Sequence, residues 1–251
     1  MGDDSALTLL LDAGSATLGG ARPKTAVQDQ GGLLLAKFPH RSDEWDVMGW
    51  EKTVLDIAER AGIQTPERRL EPVGGRHILL LRRFDRKYGS RLGYLSANTL
   101  LESRTADAAD YSDLAESLEI TTTEATKDLQ ELWRRIALSI FINNTHDHLR
   151  NHGLIRAGRG WRLAPIFDIN PDPDTAKRRV TFILGETHGS AQLDALREIS
   201  EQFRIKPPDY SSMLTQVRDA VANWKQAAAA NGLSGKEIAQ MADAFSLAAT
   251  S

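Results

Sequence analysis

The chain has 251 residues, 41% of them hydrophobic and 26% charged, with a formal net charge of −3 at pH 7 and no cysteine. That is enough apolar material for a sizeable core in one large domain or two lobes, while disulfides, iron–sulfur clusters and thiol catalysis are excluded. A pI near 6.1 gives no global electrostatic reason to expect nucleic acid or a membrane surface as a direct partner. The opening MGDDSALTLLLDAG is too acidic at its start and too short in its apolar run for a secretory signal, and no stretch approaches about 18 consecutive apolar residues. A cytoplasmic protein is expected, and the missing cysteine fits a reducing compartment.

The first elements in chain order are β in character. A short apolar run at residues 6–11 stops at DAGSATLGGARPK, a loop of small residues and glycines. TAV at 25–27 and GGLLLAKF at 31–38, separated by QDQ, predict a β-hairpin. EWDVMGWEKTVLDIAERAG then carries Val47, Trp50, Val54, Ile57, Ala58 and Ala61 at helical spacing, with Gly62 as a C-terminal stop. HILLLRRFDR reads as a buried strand running into a polar link. From about residue 96 helix takes over: SANTLLES and DYSDLAESL are short helical patterns. TTTEATKDLQELWRRIALSIFINN opens on cap-type threonines and repeats Leu129, Leu132, Trp133, Ile136, Ile140 and Phe141 at helical spacing. GLIRAGRGWRLAPIFDINP reads as a strand pair turning near AGRG. Beyond about residue 190 the chain is mainly helical, including SMLTQVRDAVANWKQAAAANG and a final GKEIAQMADAFSLAA. Strands first and helices afterwards predict an α+β protein of two lobes, 1–84 and 85–251, meeting near residue 84.

Three segments carry chemistry. GSATLGGARPK, residues 14–24, sets three glycines among small and hydroxyl residues, so that backbone N–H groups can approach a phosphate, and Arg22 and Lys24 add charge. It is neither a Walker nor a Rossmann loop, and a tight structural turn is the alternative. Lys37 lies inside LLLAKF, and an ammonium in an apolar strand needs either a wet edge or an anionic partner. Glu51 falls on the stripe Val47, Glu51, Val54, Ala58 of the next helix and is a carboxylate in equal need of a partner. A strand lysine held by a glutamate of the following helix, after a glycine-rich hairpin, is the arrangement of protein kinases.

The third segment, NNTHDHLRNHG at 143–153, packs three histidines, three asparagines and an aspartate into eleven positions. His146, Asp147, His148 and His152 could supply ligands to a divalent metal, as in metal-dependent phosphohydrolases. Such a site needs further ligands, and only His40, His77 and His188 remain, none in a paired motif. The other reading makes Asn151 a metal-binding asparagine and puts His146, five residues earlier, in the base slot of the D-x-x-x-x-N spacing of kinase catalytic loops. Asp168 in IFDIN follows an apolar strand where a kinase places its second magnesium ligand; capping of a strand end is the plainer alternative.

Together, GSATLGGARPK, AKFP, RRFDR, NNTHDHLRNHG and WRLAPIFDINP resemble the HipA-like serine/threonine kinases, the toxin components of bacterial toxin–antitoxin systems. The likeness runs from about residue 12 to 175, with a family-like helical tail beyond it. It implies a bilobal protein-kinase-like fold, with a small strand-rich N-lobe and a larger helical C-lobe, that uses ATP with Mg2+ to phosphorylate a protein hydroxyl. In characterised relatives the substrate is an aminoacyl-tRNA synthetase, and a DNA-binding antitoxin is the usual partner, so that DNA is reached only through the antitoxin. Carried over by position, Lys37 meets the ATP phosphates and Glu51 holds it, while Asn151 and Asp168 bind magnesium. Thr17, Leu18, Gly19 and Gly20 form the loop over the nucleotide, and the segment Leu80 to Phe84, Arg82 included, is the hinge beside the adenine. The hydroxyl whose autophosphorylation switches the kinase off falls on Thr17, with Ser15 second.

Two departures follow from the same resemblance. Full-length relatives carry an additional N-terminal subdomain before the glycine-rich loop, so the chain is either truncated or completed by a separate small protein. At position 146 the family pattern is aspartate, giving D-D-H or D-x-H, whereas this chain has histidine. The kinase base orients the substrate hydroxyl and accepts its proton. Asp147 is one residue off the required spacing and would have to be brought into place by the loop. The expectation is that nucleotide binding survives while phosphoryl transfer is weakened or lost. The readings left open are an active kinase using His146 or Asp147 as catalytic base, a nucleotide-binding pseudokinase acting by protein binding, and a metal-dependent phosphohydrolase.

Overall fold

The computed structural model describes residues 22–73, 75–87, 89–102 and 109–249. The expected glycine-rich loop, with Ser15, Thr17, Leu18, Gly19 and Gly20, and the apolar run at 6–11 lie outside the described residues. The expected hairpin is formed by β1 (Lys24–Asp29) and β2 (Gly32–Lys37), closed by the pair Asp29 and Gly32. Gly32 has φ +121°, a conformation in which a Cβ would be strained, so glycine is required at that corner. The register places Lys24 directly opposite Lys37.

Helix α1 (Val47–Arg60) begins where the Asp46 carboxylate accepts the Gly49 N–H at 3.0 Å and ends before Gly62, whose φ is +76°. Two further strands, β3 (Arg68–Val73) and β4 (Arg76–Arg82), complete a four-stranded sheet in the order β1-β2-β4-β3. β3 was not legible in RRLEPV, which has no apolar alternation and contains Pro72. As an edge strand it needs neither two apolar faces nor every N–H. One face of the sheet buries Leu79 and Leu81 against Val54, Ile57 and Ala58 of α1. The other carries a small separate cluster of Ala36, Phe38 and Ile78.

The remainder is built on helices around a second, three-stranded sheet. Strand β5 (Tyr94–Ser96) pairs with β6 (Gly153–Ala157), which pairs with β7 (Gly160–Leu163). Helices α2 (Tyr111–Thr121) and α3 (Ala125–Phe141) lie between β5 and β6 in the chain. α3 buries Leu129, Leu132, Trp133, Ile136 and Ile140, the expected stripe. Its N-cap is Glu124, without a side-chain capping bond, and not a threonine. The threonines act elsewhere: Thr122 Oγ1 donates to Leu118 O at 2.9 Å at the end of α2, and the Thr123 N–H donates to Trp161 O at 3.0 Å on β7.

The helical tail comprises α4 (Gly189–Glu198), α5 (Pro207–Ala222), α6 (Trp224–Ala230) and α7 (Gly235–Gln240), the run SMLTQVRDAVANWKQAAAANG being interrupted at Asn223. This tail folds back on α1. Trp224 and Phe245 stack at 4.2 Å, and each lies 6.0 Å from Trp50. Asn231 Nδ2 donates to Thr53 Oγ1 at 3.0 Å and to Asp56 Oδ2 at 2.9 Å. A Cβ on Gly49 would meet Leu233 Cδ2 at 2.7 Å, so glycine sets the closeness of this approach. One hydrophobic cluster therefore runs from Val47 to Ala248, and α1 is enclosed by sheet and tail together. Among the described residues no helix is long and apolar enough to cross a membrane.

Candidate functional site

Lys37 ends β2 and Glu51 lies in the second turn of α1; their residues are 4% and 0% exposed. The Lys37 ammonium donates to Glu51 Oε1 at 2.7 Å and Oε2 at 3.0 Å, and to Asp168 Oδ1 at 3.0 Å. Glu51 Oε1 also accepts the Asp168 backbone N–H at 3.0 Å, which ties the segment after β7 to the first lobe. Asp168 sits at φ +57°, a left-handed conformation that costs a non-glycine residue about 1 kcal/mol or more and persists only where its surroundings hold it. Here the backbone bond to Glu51 and the side-chain bond to Lys37 do so.

The charges reinforce one another. Burial alone would lower the Lys37 ammonium, but Glu51 and Asp168 outweigh it and hold the group charged well above the ordinary lysine range. The same ammonium holds the Asp168 carboxyl down at about 2. Burial pushes the Glu51 carboxyl upward, with Lys37 opposing. Burial also lowers the Lys24 ammonium, and Asp168 pulls it the other way. Beside these groups lies a cavity of about 60 Å³ lined by Arg22, Lys24, Lys37, Glu51, Asp168 and Asn170. The Asn170 Oδ1 atom is buried and has no hydrogen-bond partner among the described residues.

The polar loop after α3 is organised mainly inward. Arg179, 6% exposed, donates to Ser139 O at 2.5 Å, Ile140 O at 3.1 Å and Asn144 O at 2.7 Å, pinning the end of α3 and the start of the loop together. The Asp147 carboxylate accepts from Tyr111 Oη at 2.5 Å, Ser139 Oγ at 2.9 Å and His152 Nε2 at 2.9 Å. Burial would raise it, but His152 and the hydroxyl donors bring it down to about 2. Asp147 is thus a buried anchor, and the loop does not turn it outward toward the base position. His146 is exposed, with Nδ1 3.1 Å from Thr145 Oγ1. Asn151 Nδ2 donates to His146 O at 3.2 Å and Asp168 O at 3.3 Å, joining the two loops and leaving its carbonyl end for a ligand.

The loop's histidines do not converge. Among the described residues no group of three or more His, Asp or Glu is arranged to hold a metal ion. Magnesium asks for less from a protein: oxygen ligands, often one or two carboxylates, with phosphates and water completing its shell. The ionised Asp168, the carbonyl end of Asn151 and the orphaned Asn170 Oδ1 fit that demand. Sequence reasoning missed Asn170, although it stands two positions after Asp168 in FDINP. It also missed Thr145, Asp172 and Arg179, which have no motif of their own.

Two expected hinge residues separate. Arg82 commits its guanidinium to Asp29 at 2.7 and 3.2 Å, bracing the β1–β2 turn, and does not line the cavity. Phe84 packs 5.8 Å from Phe167 and 6.3 Å from Tyr94, forming an aromatic wall just before Asp168.

The chain belongs to the HipA-like C-terminal domain family, whose model matches residues 16–224. No curated protein matches the sequence. The fold is similar to that of HipA of the Shewanella oneidensis MR-1 toxin–antitoxin system, in its complex with HipB and operator DNA. The TM-score is 0.73 at 14% identity, over 92% of this chain and 63% of that one. The chain thus spans under two thirds of that HipA. It is also similar to the Helicobacter pylori proinflammatory kinase CtkA, with a TM-score of 0.60 at 13% identity over 93% of this chain and 94% of that one. The architecture is kinase-like.

Proposed function

We propose, from that family membership, that the chain binds ATP with magnesium and acts as a serine/threonine protein kinase of the HipA kind, with a transfer step slowed by histidine at position 146. The observation that carries this reading is the Lys37–Glu51–Asp168 array beside a cavity of phosphate size. Bound magnesium–ATP supplies the γ-phosphoryl group. Lys37, kept charged by its two carboxylates, would neutralise nucleotide phosphate oxygens, with Lys24 and Arg22 adding to the same field. Asp168, Asn151 and Asn170 would hold the metal. His146 would receive the substrate hydroxyl's proton.

The acceptor is a protein hydroxyl, with an aminoacyl-tRNA synthetase as the expected substrate. Phosphate on Thr17 or Ser15 would switch the site off by charge and bulk. An antitoxin partner is supported by the HipA–HipB–DNA assembly of the Shewanella relative, and DNA contact would be indirect. The test is intact mass after incubation with magnesium and ATP, beside Lys37→Ala. A gain of one phosphate by the unmodified chain, absent from Lys37→Ala, is expected; no gain at any enzyme concentration overturns the kinase reading.

A second reading, a nucleotide-binding pseudokinase that acts by holding a protein partner, is favoured by one specific observation: Asp147 is committed inward, leaving His146 as the base candidate of the loop. It predicts thermal stabilisation by ATP, about 2.7 kcal/mol at a hundredfold excess over Kd, without transfer.

A further inference from the structure

We propose that Asp172 and Thr145 form a positioning pair that fixes the His146 ring as its Nδ1–H tautomer and presents Nε2 outward as a proton acceptor. The proposal deepens the kinase reading and rests on it for its use, though not for its geometry. Thr145 Oγ1 lies 2.8 Å from Asp172 Oδ2 and 3.1 Å from His146 Nδ1. A hydroxyl has one proton to give, and the two neighbours compete for it. Asp172 already accepts from Lys177 Nζ at 3.0 and 3.3 Å and from the Asp174 N–H at 3.0 Å, the environment of an ionised carboxylate that can only accept. The Thr145 proton therefore goes to Asp172. The Thr145 oxygen is then an acceptor toward the ring, so Nδ1 must carry the hydrogen and Nε2 the lone pair.

Burial makes this choice rigid. Thr145 is 2% exposed and Asp172 6%, whereas His146 is exposed. The His146 carbonyl is held by Asn151 Nδ2 at 3.2 Å, which fixes the backbone from which the ring projects. The opposite tautomer would point an N–H at the substrate and could accept nothing. The Asp172–Thr145 pair thus gives a histidine, at a position where the family has aspartate, the one neutral form able to serve there. In the step it serves, the substrate hydroxyl oxygen forms a bond to the γ-phosphorus and its proton passes to Nε2. The bond from that phosphorus to the bridging oxygen breaks, and its electron pair leaves with the nucleoside diphosphate. The positive ring is then faced, through Thr145, by the Asp172 carboxylate. Thr145 and Asp172 are buried and act only through His146.

The experiment is a long-range ¹⁵N–¹H correlation spectrum of the full chain without nucleotide, recorded near pH 8, with the His146 signal identified by its loss in His146→Gln. The expected result is a protonated-type Nδ1 and an unprotonated-type Nε2. Thr145→Val moves the ring toward Nε2–H, and Thr145→Ser restores the original pattern. A protonated-type Nε2 in the unmodified chain overturns the proposal without any variant, so a failure of Thr145→Val to fold leaves it testable. Retention of Nδ1–H in a folded Thr145→Val also overturns it. With ATP and substrate, Thr145→Val should lose about 100-fold in transfer while ATP-induced stabilisation stays unchanged. Because the spectrum is recorded without nucleotide, the expected tautomer in a chain that never transfers phosphate sinks the kinase reading alone. The wrong tautomer in a chain that does transfer sinks this proposal alone.

Discussion

The Lys37–Glu51–Asp168 array and the loop at 143–152 are neighbours joined by Asn151, yet they are built on opposite terms. In the array every charge meets its opposite, and the lysine and glutamate are anchored by a sheet strand and by a helix enclosed between sheet and tail. In the loop the buried Asp147 carboxylate is satisfied inward by Tyr111, Ser139 and His152, and Arg179 ties down the Asn144 carbonyl, while the residue at position 146 faces out as a histidine. On the kinase reading, phosphate binding and proton acceptance are therefore assigned to separate pieces of structure. A change at His146 leaves the array's charge balance intact, and a change in the array disturbs folding as well as binding.

Lys37→Ala should break that contrast most strongly. Removing the ammonium leaves Glu51 buried with the Asp168 N–H as its only remaining donor among the described residues, and breaking such a buried pair costs about 3–5 kcal/mol. Chemical denaturation reads the loss directly, and a change near zero would show that Glu51 takes a proton instead. Trp224→Ala comes next. It removes a ring that is 7% exposed and stacked on Phe245 against Trp50, and cavity formation there should cost about 3 kcal/mol. Since these rings clamp α1, the ATP-induced rise in melting temperature should shrink as well. An unchanged rise would mean that the sheet alone positions Glu51.

Asp147 supplies a pH-dependent contribution on the loop's inward side. Its carboxyl is depressed from 3.8 to about 2 in the folded chain, so the unfolded chain binds the proton first on acidification. The stability it contributes is complete above about pH 4 and is lost as pH falls through about 2, a term of about 2 kcal/mol. Asp147→Asn should lower stability at neutral pH by about that amount and flatten the curve between those limits. A variant curve parallel to the parent's would place the acid sensitivity elsewhere. The loop at 143–152 should loosen with this change while the array holds.

The two regions were not equally legible in the sequence. Lys37 and Glu51 could be paired because a charge within an apolar pattern is costly unless matched, and spacing then located Asn151 and Asp168. The role of Asp147 could not be read, because its partners Tyr111 and Ser139 stand 36 and 8 positions away and a carboxylate in a polar loop looks the same facing in or out. Nor could Thr145 be seen as a link, since its meaning depends on Asp172, 27 residues later. At the level of elements, the apolar strands and helices were found by their periods. β3 was missed because RRLEPV has too few apolar residues to reveal a strand period. The threonine cap was misplaced because Thr122 closes α2 before α3 begins. The break at Asn223 is invisible because the helical pattern runs on through VANWKQAAAA without a proline or glycine.

His146→Asp should have the smallest effect on stability and the most informative one on function. The side chain is exposed and among the described residues makes one bond, to Thr145, so the folding free energy should move by no more than about 0.5 kcal/mol. Transfer should rise, because a carboxylate restores the base of the kinase loop without any change in the array, and intact mass after incubation with magnesium and ATP reads it. The size of the rise decides between two histories of the site. A gain from nothing would make His146 the lesion of a disabled kinase whose remaining function is binding. A gain of a fewfold over measurable activity would mean that the imidazole already works. Thr145 should then matter in the parent and cease to matter in the Asp variant, because an ionised carboxylate has no tautomer to be chosen.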